Sequence, residues 1–460
     1  MDAARQDGVA TLAARVAAEI AAGAIVPSVT PEEIRRQLAQ YDFRSPASLD
    51  EVAADVEDMM RRWHVQVTHP RYFGLFNPSV HVAAVVADAL VAAYNPQLAT
   101  WRTSPAANEI ERHTLTWLAG KFGLPEDSVA NFTTGGAEAN LSAVVVALTR
   151  AFPAYGEEGI AAIAGRPAIY LTGESHHSFS KIAHMTGIGR RALRVVPIDQ
   201  ALRMDLEGLR QRVAADRAAG FVPVMVVGTA GTTGGGAIDP LPMLADFCRD
   251  EGLWFHVDAA WGGAAVLSPR LRTHLTGIER ADSITCDAHK WFSVSMGAGM
   301  FFCRHREIVR EAFRAETSYM PGKTTDVLDP FTSTVQWSRR FIGLKLFLAL
   351  AERGEAGYVE IIERQARLGD LLRDCLRGEG WTIVNSTPLP LVCFRRDGID
   401  PSRFLKALYA RQIAWMSEVR LGDGEPVLRA CVTSFRTTDA DVRAVVREMS
   451  ALARAESEVA

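Results

Sequence analysis

The sequence predicts an α/β protein: a mostly parallel sheet in a large domain, an α+β domain after it and a helical segment before it. Three observations carry this reading. Between residues 128 and 303 the β-rich apolar runs are continuous rather than alternating, as in strands covered on both faces. Helical stretches separate the runs, and that alternation builds parallel sheets. Beyond residue 330 the order changes to a long helix and then mixed strands and helices. The 460 residues are therefore divided into a helical segment (1–95), a large domain (96–330) and a small domain (331–460).

The leading helices are read from their capping signals. Thr30 offers an N-cap, with Pro31 at the first helical position and Glu33 three residues on, and Ser48 with Glu51 repeats that spacing. These helices have no sheet of their own to pack on. The strand runs are Ser128 to Thr133, Ala168 to Thr172, Leu193 to Ile198, Val222 to Thr229, Leu253 to Val257, Ser283 to Cys286 and Met300 to Cys303. In the last domain a helical region from Arg339 to Arg377 precedes strands at Trp381 to Asn385, Leu389 to Phe394 and Val427 to Phe435. Further helices are expected at Pro401 to Gln412 and Asp439 to Ala453. The stretch from Phe313 to Pro330 holds Pro321 and Gly322 without apolar periodicity and is expected to be a loop.

Composition excludes several classes of function. With 48% hydrophobic and 23% charged residues the chain is ordinary for a globular protein. Its 50 basic and 54 acidic side chains leave a net charge of -4, without the basic excess of a nucleic-acid binder. Arg5, Asp7, Arg15 and Glu19 interrupt the alanine-rich start, so no signal-peptide core is expected. The apolar stretch Val80 to Ala93 carries His81 and Asp88 and falls short of the ~18 to 20 residues of a membrane span. Six scattered cysteines without a CxxC pair, and no HExxH, argue against a disulfide scaffold or a zinc site and fit a cytoplasmic enzyme.

Open parallel sheets bind ligands at the carboxyl ends of their strands, so residues just past each run are the candidates. NFTTGGAEAN (Asn131 to Asn140) follows one run and opens a helix, which suits an anion or an ordinary tight turn. HVDAAWGG (His256 to Gly263) puts Asp258 at the end of an apolar strand, where a carboxylate needs a positive partner or a turn to cap. DAHKW (Asp287 to Trp291) places Lys290 past another buried strand, as a salt-bridged lysine or as an imine former. SHHSF (Ser175 to Phe179) sets His176 and His177 after a fourth. The run Gly187 to Ala192 matches GxGxxA but follows a helix and precedes a strand, the reverse of a dinucleotide site. An anion cradle, a ring-supporting histidine, a buried aspartate and a lysine, each after a different strand, together match what pyridoxal 5'-phosphate requires.

Those motifs, with HPRYFGLF (His69 to Phe76), GTTGGGAIDP (Gly231 to Pro240) and GIERADS (Gly277 to Ser283), resemble the group II pyridoxal-phosphate-dependent amino-acid decarboxylases over residues 30 to 450. The resemblance implies the fold-type-I architecture, pyridoxal 5'-phosphate as cofactor and a homodimer clasped by the N-terminal segments. It implies Lys290 as the covalent cofactor holder, Asp258 at the ring nitrogen and His177 stacked on the ring. Thr232 and Ala260 then contact the cofactor, and Gly135, Gly136, Ala137 and His289 hold its phosphate. Tyr319, in TSYM, matches the family's proton-donating loop tyrosine. Leu75, Phe76 and Trp101 fall at substrate-pocket positions and favour an aromatic or aliphatic side chain, whereas Arg102 offers a partner to an acidic one. The activity implied is decarboxylation of an L-amino acid to its amine. Acidic-substrate decarboxylases, C–C lyases such as the sphingosine-phosphate lyases, which share Asp-x-His-Lys, and aminotransferases are the related alternatives. A non-catalytic α/β binding protein is the alternative from another class. The partners expected are an amino acid and a second copy of the chain, with no nucleic acid and no membrane.

Overall fold

The computed structural model describes residues 3–77, 79–315 and 329–459. Its centre is a seven-stranded sheet of β1 (Val129–Thr133), β2 (Arg166–Thr172), β3 (Leu193–Val196), β4 (Phe221–Thr229), β5 (Trp254–Asp258), β6 (Ser283–Asp287) and β7 (Gly299–Cys303). The order is β1-β7-β6-β5-β4-β2-β3, and only β7 runs against its neighbours. Continuous apolar runs follow from burial on both faces. On β2, Ala168 and Tyr170 enter one apolar cluster while Ile169 and Leu171 enter another; on β7, Met300 and Phe302 oppose Phe301 and Cys303 in the same way.

Helices Ala3–Ala22, Pro31–Leu38 and Leu49–Trp63 lead the chain. Thr30 forms the expected capping box, its Oγ1 accepting from the Glu33 N–H at 3.3 Å while its own N–H donates to Glu33 Oε2 at 2.7 Å. Ser48 makes no side-chain cap bond, so the second capping-box spacing is not realised. The second and third helices bury no residue.

The long helix Leu344–Gly378 starts later than its sequence pattern suggests, and it bends where Gly354 adopts φ 66° and ψ 172°. Residues 339 and 340 are instead held outside the helix: the Arg339 carbonyl accepts from the Leu98 N–H at 2.9 Å, Arg340 bridges to Gln97, and the Arg339 guanidinium meets buried Glu111 at 2.6 Å. A second sheet follows, β8 (Thr382–Ile383), β9 (Leu391–Arg395), β10 (Ser417–Val419) and β11 (Val427–Cys431), antiparallel in the order β10-β11-β9-β8. Helices Pro401–Ala410 and Asp439–Val459 cover one face through Phe404, Leu408, Val442 and Val446, packed with Phe394, Leu428 and Ala430. Alternate residues of β11 point the other way, which turns Arg429 toward the large sheet. Among the described residues no helix is long and apolar enough to cross a membrane.

Candidate active site

The parallel strands β1, β2, β4, β5 and β6 send their carboxyl ends to one rim, which gathers Gly135, His177, Thr232, Asp258 and Lys290 from five separate sequence positions. Because β7 arrives from the opposite direction, its first residue, Gly299, lies beside the segment after β1. A Cβ there would stand 2.5 Å from Thr133 Oγ1 and 2.6 Å from Gly135 Cα, so only glycine lets these backbones meet.

Asp258 is 4% exposed. Its Oδ1 accepts from the Ala260 N–H at 3.1 Å and its Oδ2 from Asn140 Nδ2 at 2.8 Å. At the end of β6, Lys290 Nζ lies 3.0 Å from Asp287 Oδ2, and His289 Nε2 lies 3.7 Å from the same oxygen. The Lys290 ammonium also sits 5.7 Å from the centre of the Phe76 ring. The Ala298 N–H donates to His289 Nδ1 at 3.2 Å, which leaves the ring's proton on Nε2, facing the Asp287 side.

Helix Gly136–Ala151 opens at this point. The first N–H groups of a helix have no intrahelical acceptor and mark the positive end of its dipole. A Cβ on Gly136 would stand 2.9 Å from Asp287 Oδ2 and 3.3 Å from Ala260 Cβ, and one on Gly135 would touch His289 Cε1 at 3.5 Å. Gly135, Gly136, Ala137, Ala260 and His289 are thus drawn together around the helix terminus. Thr232 is buried, and its Oγ1 accepts from the Ala237 N–H at 3.0 Å, holding the turn after β4.

His176 is tied to its own helix terminus, its Nδ1 lying 2.8 Å from Ser178 Oγ. Exposed His177 borders a cavity of about 310 Å³ that Leu75, Thr233, Ser417 and Arg429 also line. Phe76 stacks on Trp261 at 4.5 Å and 18°, and the Arg429 guanidinium lies 4.9 Å from the centre of the Phe76 ring. Trp101 is not brought to this cluster: its Nε1 donates to Glu109 at 2.9 Å, and it lines a different cavity with Arg112 and Arg339. Tyr319 lies outside the described residues.

Three residues at the site escape a strand-end reading. Asn140 lies one turn inside a helix, His256 sits in mid-strand, and Arg429 comes from the second sheet. Asn140 and His256 lie inside the motifs NFTTGGAEAN and HVDAAWGG but had no role assigned to them, and Arg429 carried a signal of its own, a cation inside the apolar run Val427 to Cys431. It is buried, donating from Nε to the Thr233 carbonyl at 3.0 Å and from Nη1 to the Gly74 carbonyl at 3.1 Å, while its Nη2 has no partner.

An amine, a buried carboxylate and a helix terminus opened by glycines, set on the rim of a parallel sheet with a single reversed strand, define a pyridoxal-phosphate enzyme. The donor chemistry fits that cofactor, and Gly136 shows how little room a side chain would have at the helix terminus. Comparison with known proteins supplies the family. The chain matches the pyridoxal-dependent decarboxylase conserved domain over residues 31–397 and belongs to that family. It is similar to the aromatic-L-amino-acid decarboxylase of Bacillus atrophaeus, 29% identical over 401 residues that cover 84% of this chain and 82% of that one. Tryptophan decarboxylase 1 of Oryza sativa subsp. japonica is 31% identical over 393 residues, covering 81% and 75%. The crystal structure of Oryza sativa TDC with PLP and tryptamine superposes with a TM-score of 0.90 at 26% identity, covering 98% of each chain. The chain is a pyridoxal-phosphate-dependent amino-acid decarboxylase with the fold-type-I architecture that the sequence predicts. Among the described residues no group of His, Cys, Asp and Glu is arranged to hold a metal ion.

Proposed function

We propose that the chain decarboxylates an aromatic L-amino acid to the corresponding amine, with Lys290, Asp258, His177 and Tyr319 as its catalytic residues. Bound pyridoxal phosphate supplies an electron-accepting ring to a Cα–carboxylate bond that breaks. Lys290 would hold its aldehyde carbon, Asp258 its ring nitrogen and His177 its open face. Gly135, Gly136, Ala137 and His289 would hold its phosphate, with Thr232 and Ala260 against its edge and face. Before the cofactor engages the amine, Asp287 Oδ2 pairs with Lys290 at 3.0 Å, while Asp287 Oδ1 is buried without a partner.

The observation that carries the aromatic assignment is the wall beside the reactive amine. Phe76 stacks on Trp261, and the same Phe76 ring takes Lys290 and Arg429 against it. The buried aromatic pair makes the surroundings of the amine apolar, which suits an apolar side chain. Arg429 Nη2, buried and without a protein partner, offers a charge-assisted hydrogen bond to the substrate's carboxylate. Leu75 borders the adjoining cavity. Tyr319 is assigned the delivery of a proton to the carbon that carbon dioxide leaves.

The N-terminal helices support a homodimer, since two of them have no fully buried residue. Free cysteines, five of the six buried, suit a reducing compartment such as the cytoplasm.

The test is carbon dioxide and amine release across tryptophan, tyrosine, phenylalanine, leucine, glutamate and cysteine sulfinate. Aromatic substrates are expected to exceed the acidic ones in kcat/KM by at least about tenfold, the discrimination one lost polar or apolar contact provides. Equal or faster release from an acidic amino acid would overturn the aromatic assignment.

A further inference from the structure

Asp258 is the visible end of a longer buried relay. Trp254 Nε1 donates to Ser283 Oγ at 2.9 Å, Ser283 Oγ lies 2.9 Å from His256 Nδ1, and His256 Nε2 lies 3.0 Å from Asn140 Oδ1. Thr285 Oγ1 donates to the same Asn140 oxygen at 2.7 Å, and Asn140 Nδ2 donates to Asp258 Oδ2 at 2.8 Å. Every member is buried. Trp254, His256 and Asp258 alternate along β5, Ser283 and Thr285 alternate along β6, and Asn140 reaches in from helix Gly136–Ala151.

We propose that Asn140 and His256 are positioning residues that hold Asp258 as an anion and aim it at the cofactor's ring nitrogen, with Trp254 fixing the polarity of the relay from its far end. The proton count decides the direction. An indole N–H only donates, so Ser283 Oγ accepts from it at 2.9 Å and keeps its own O–H to donate to His256 Nδ1. Neutral imidazole then has one proton left, on Nε2, and this goes to Asn140 Oδ1. Burial favours that neutral form, pushing the His256 ring down to about 4. With its oxygen taken twice, by His256 and Thr285, the Asn140 amide must turn its nitrogen to Asp258. The carboxyl thus faces N–H donors from Asn140 and Ala260 and has no acceptor in the relay for a proton of its own, which favours the charged form.

The opposite polarity is worse. Asp258 would have to donate to Asn140, Asn140 to His256, and His256 to a serine oxygen that already accepts from Trp254, which strands the serine proton. Asn140 Nδ2 also donates to Ser178 Oγ at 3.4 Å, and that oxygen lies 2.8 Å from His176 Nδ1, so His176 borders the relay; Cys286 on β6 senses Asp258, Asp287 and Lys290 through their charge.

This inference rests on the reading of Asp258 as the ring-nitrogen partner, so the experiment includes Asp258→Asn as a reference. In the unaltered holoenzyme, ¹⁵N NMR of labelled histidine should show His256 as the Nε2–H tautomer, without titration between about pH 5 and 8, where an ordinary imidazole changes charge. Asn140→Asp and His256→Leu should retain the circular dichroism of the parent. They should bind pyridoxal phosphate about tenfold more weakly, a loss of ~1.4 kcal/mol. The pH profile of the bound cofactor's visible band should shift with them, and kcat should fall about 100-fold with KM nearly constant, the scale of a lost preorganised electrostatic contact. His256→Gln, which keeps a donor for Asn140, should restore affinity and pH profile to about twofold of the parent, well under the ~1.4 kcal/mol of a tenfold change. An Nδ1–H tautomer, a His256 titration near its ordinary value, or an unshifted band in both Asn140→Asp and His256→Leu would overturn the relay. If Asp258→Asn also leaves the band unshifted, the reading of Asp258 itself fails with it.

Discussion

His256 and His81 are buried without charge, and burial holds each ring down to about 4. In the unfolded chain such a ring takes up its proton near ~6.5, so the unfolded state binds more protons throughout the interval between the two values. The stability these rings contribute is complete above ~6.5 and is lost as the pH falls through that interval, about 2 kcal/mol for each ring by pH 5. Two carboxyls work in the opposite sense, Asp239, raised to about 6 by burial, and Glu111, also raised by burial. Among the groups with a stated value, two histidines stand against one aspartate. We expect the urea midpoint to fall between pH 7 and pH 5, and a constant or rising midpoint would contradict this balance. The catalytic candidates Lys290, Asp258 and His177 were legible as residues because each follows an apolar strand. Their helpers were not. Asn140 and Asp258 are 118 positions apart, and Arg429 and Gly74 are 355 apart, and no local pattern encodes such pairings.

At the scale of elements, the junction of β1 with helix Gly136–Ala151 decides how closely an anion can approach. A methyl group on Gly136 would sit 2.9 Å from a carboxylate oxygen of Asp287, whose position is already held by Lys290. Gly136→Ala is therefore expected to weaken pyridoxal phosphate binding by at least about tenfold, ~1.4 kcal/mol, with little change in melting temperature. Fluorescence titration of the apoprotein checks it, and an unchanged affinity would show that the helix terminus has more freedom than the glycine implies. Most strands of the large sheet were legible because two-sided burial writes itself as an unbroken apolar run; β3, an edge strand carrying Arg194 and exposed Val195, showed only as a short β-branched stretch. The reversal of β7 was not legible, since a run such as Met300 to Cys303 reads the same in either direction. β10 was missed for another reason: Ser417–Val419 is three residues long and carries Glu418 at its centre, too short and too polar for a period to show.

For the whole molecule, the leading helices pose an unfinished packing problem. Leu38, Phe43, Leu49 and Met60 are exposed, Phe43 at 95% and Leu49 at 81%. If a second copy covers them, stability is linked to association, and each tenfold dilution removes up to about 1.4 kcal/mol from the assembled state. Sedimentation and thermal melts across a hundredfold range of concentration should show a dimer and a melting temperature that rises with concentration. A monomer with a constant melting temperature would exclude the clasp. The exposed faces of Pro31–Leu38 and Leu49–Trp63 then carry a meaning beyond architecture. If those two faces are sheltered only by a second copy, the chain's folded fraction follows its own concentration, and its stability becomes a measure of how much of it has been made.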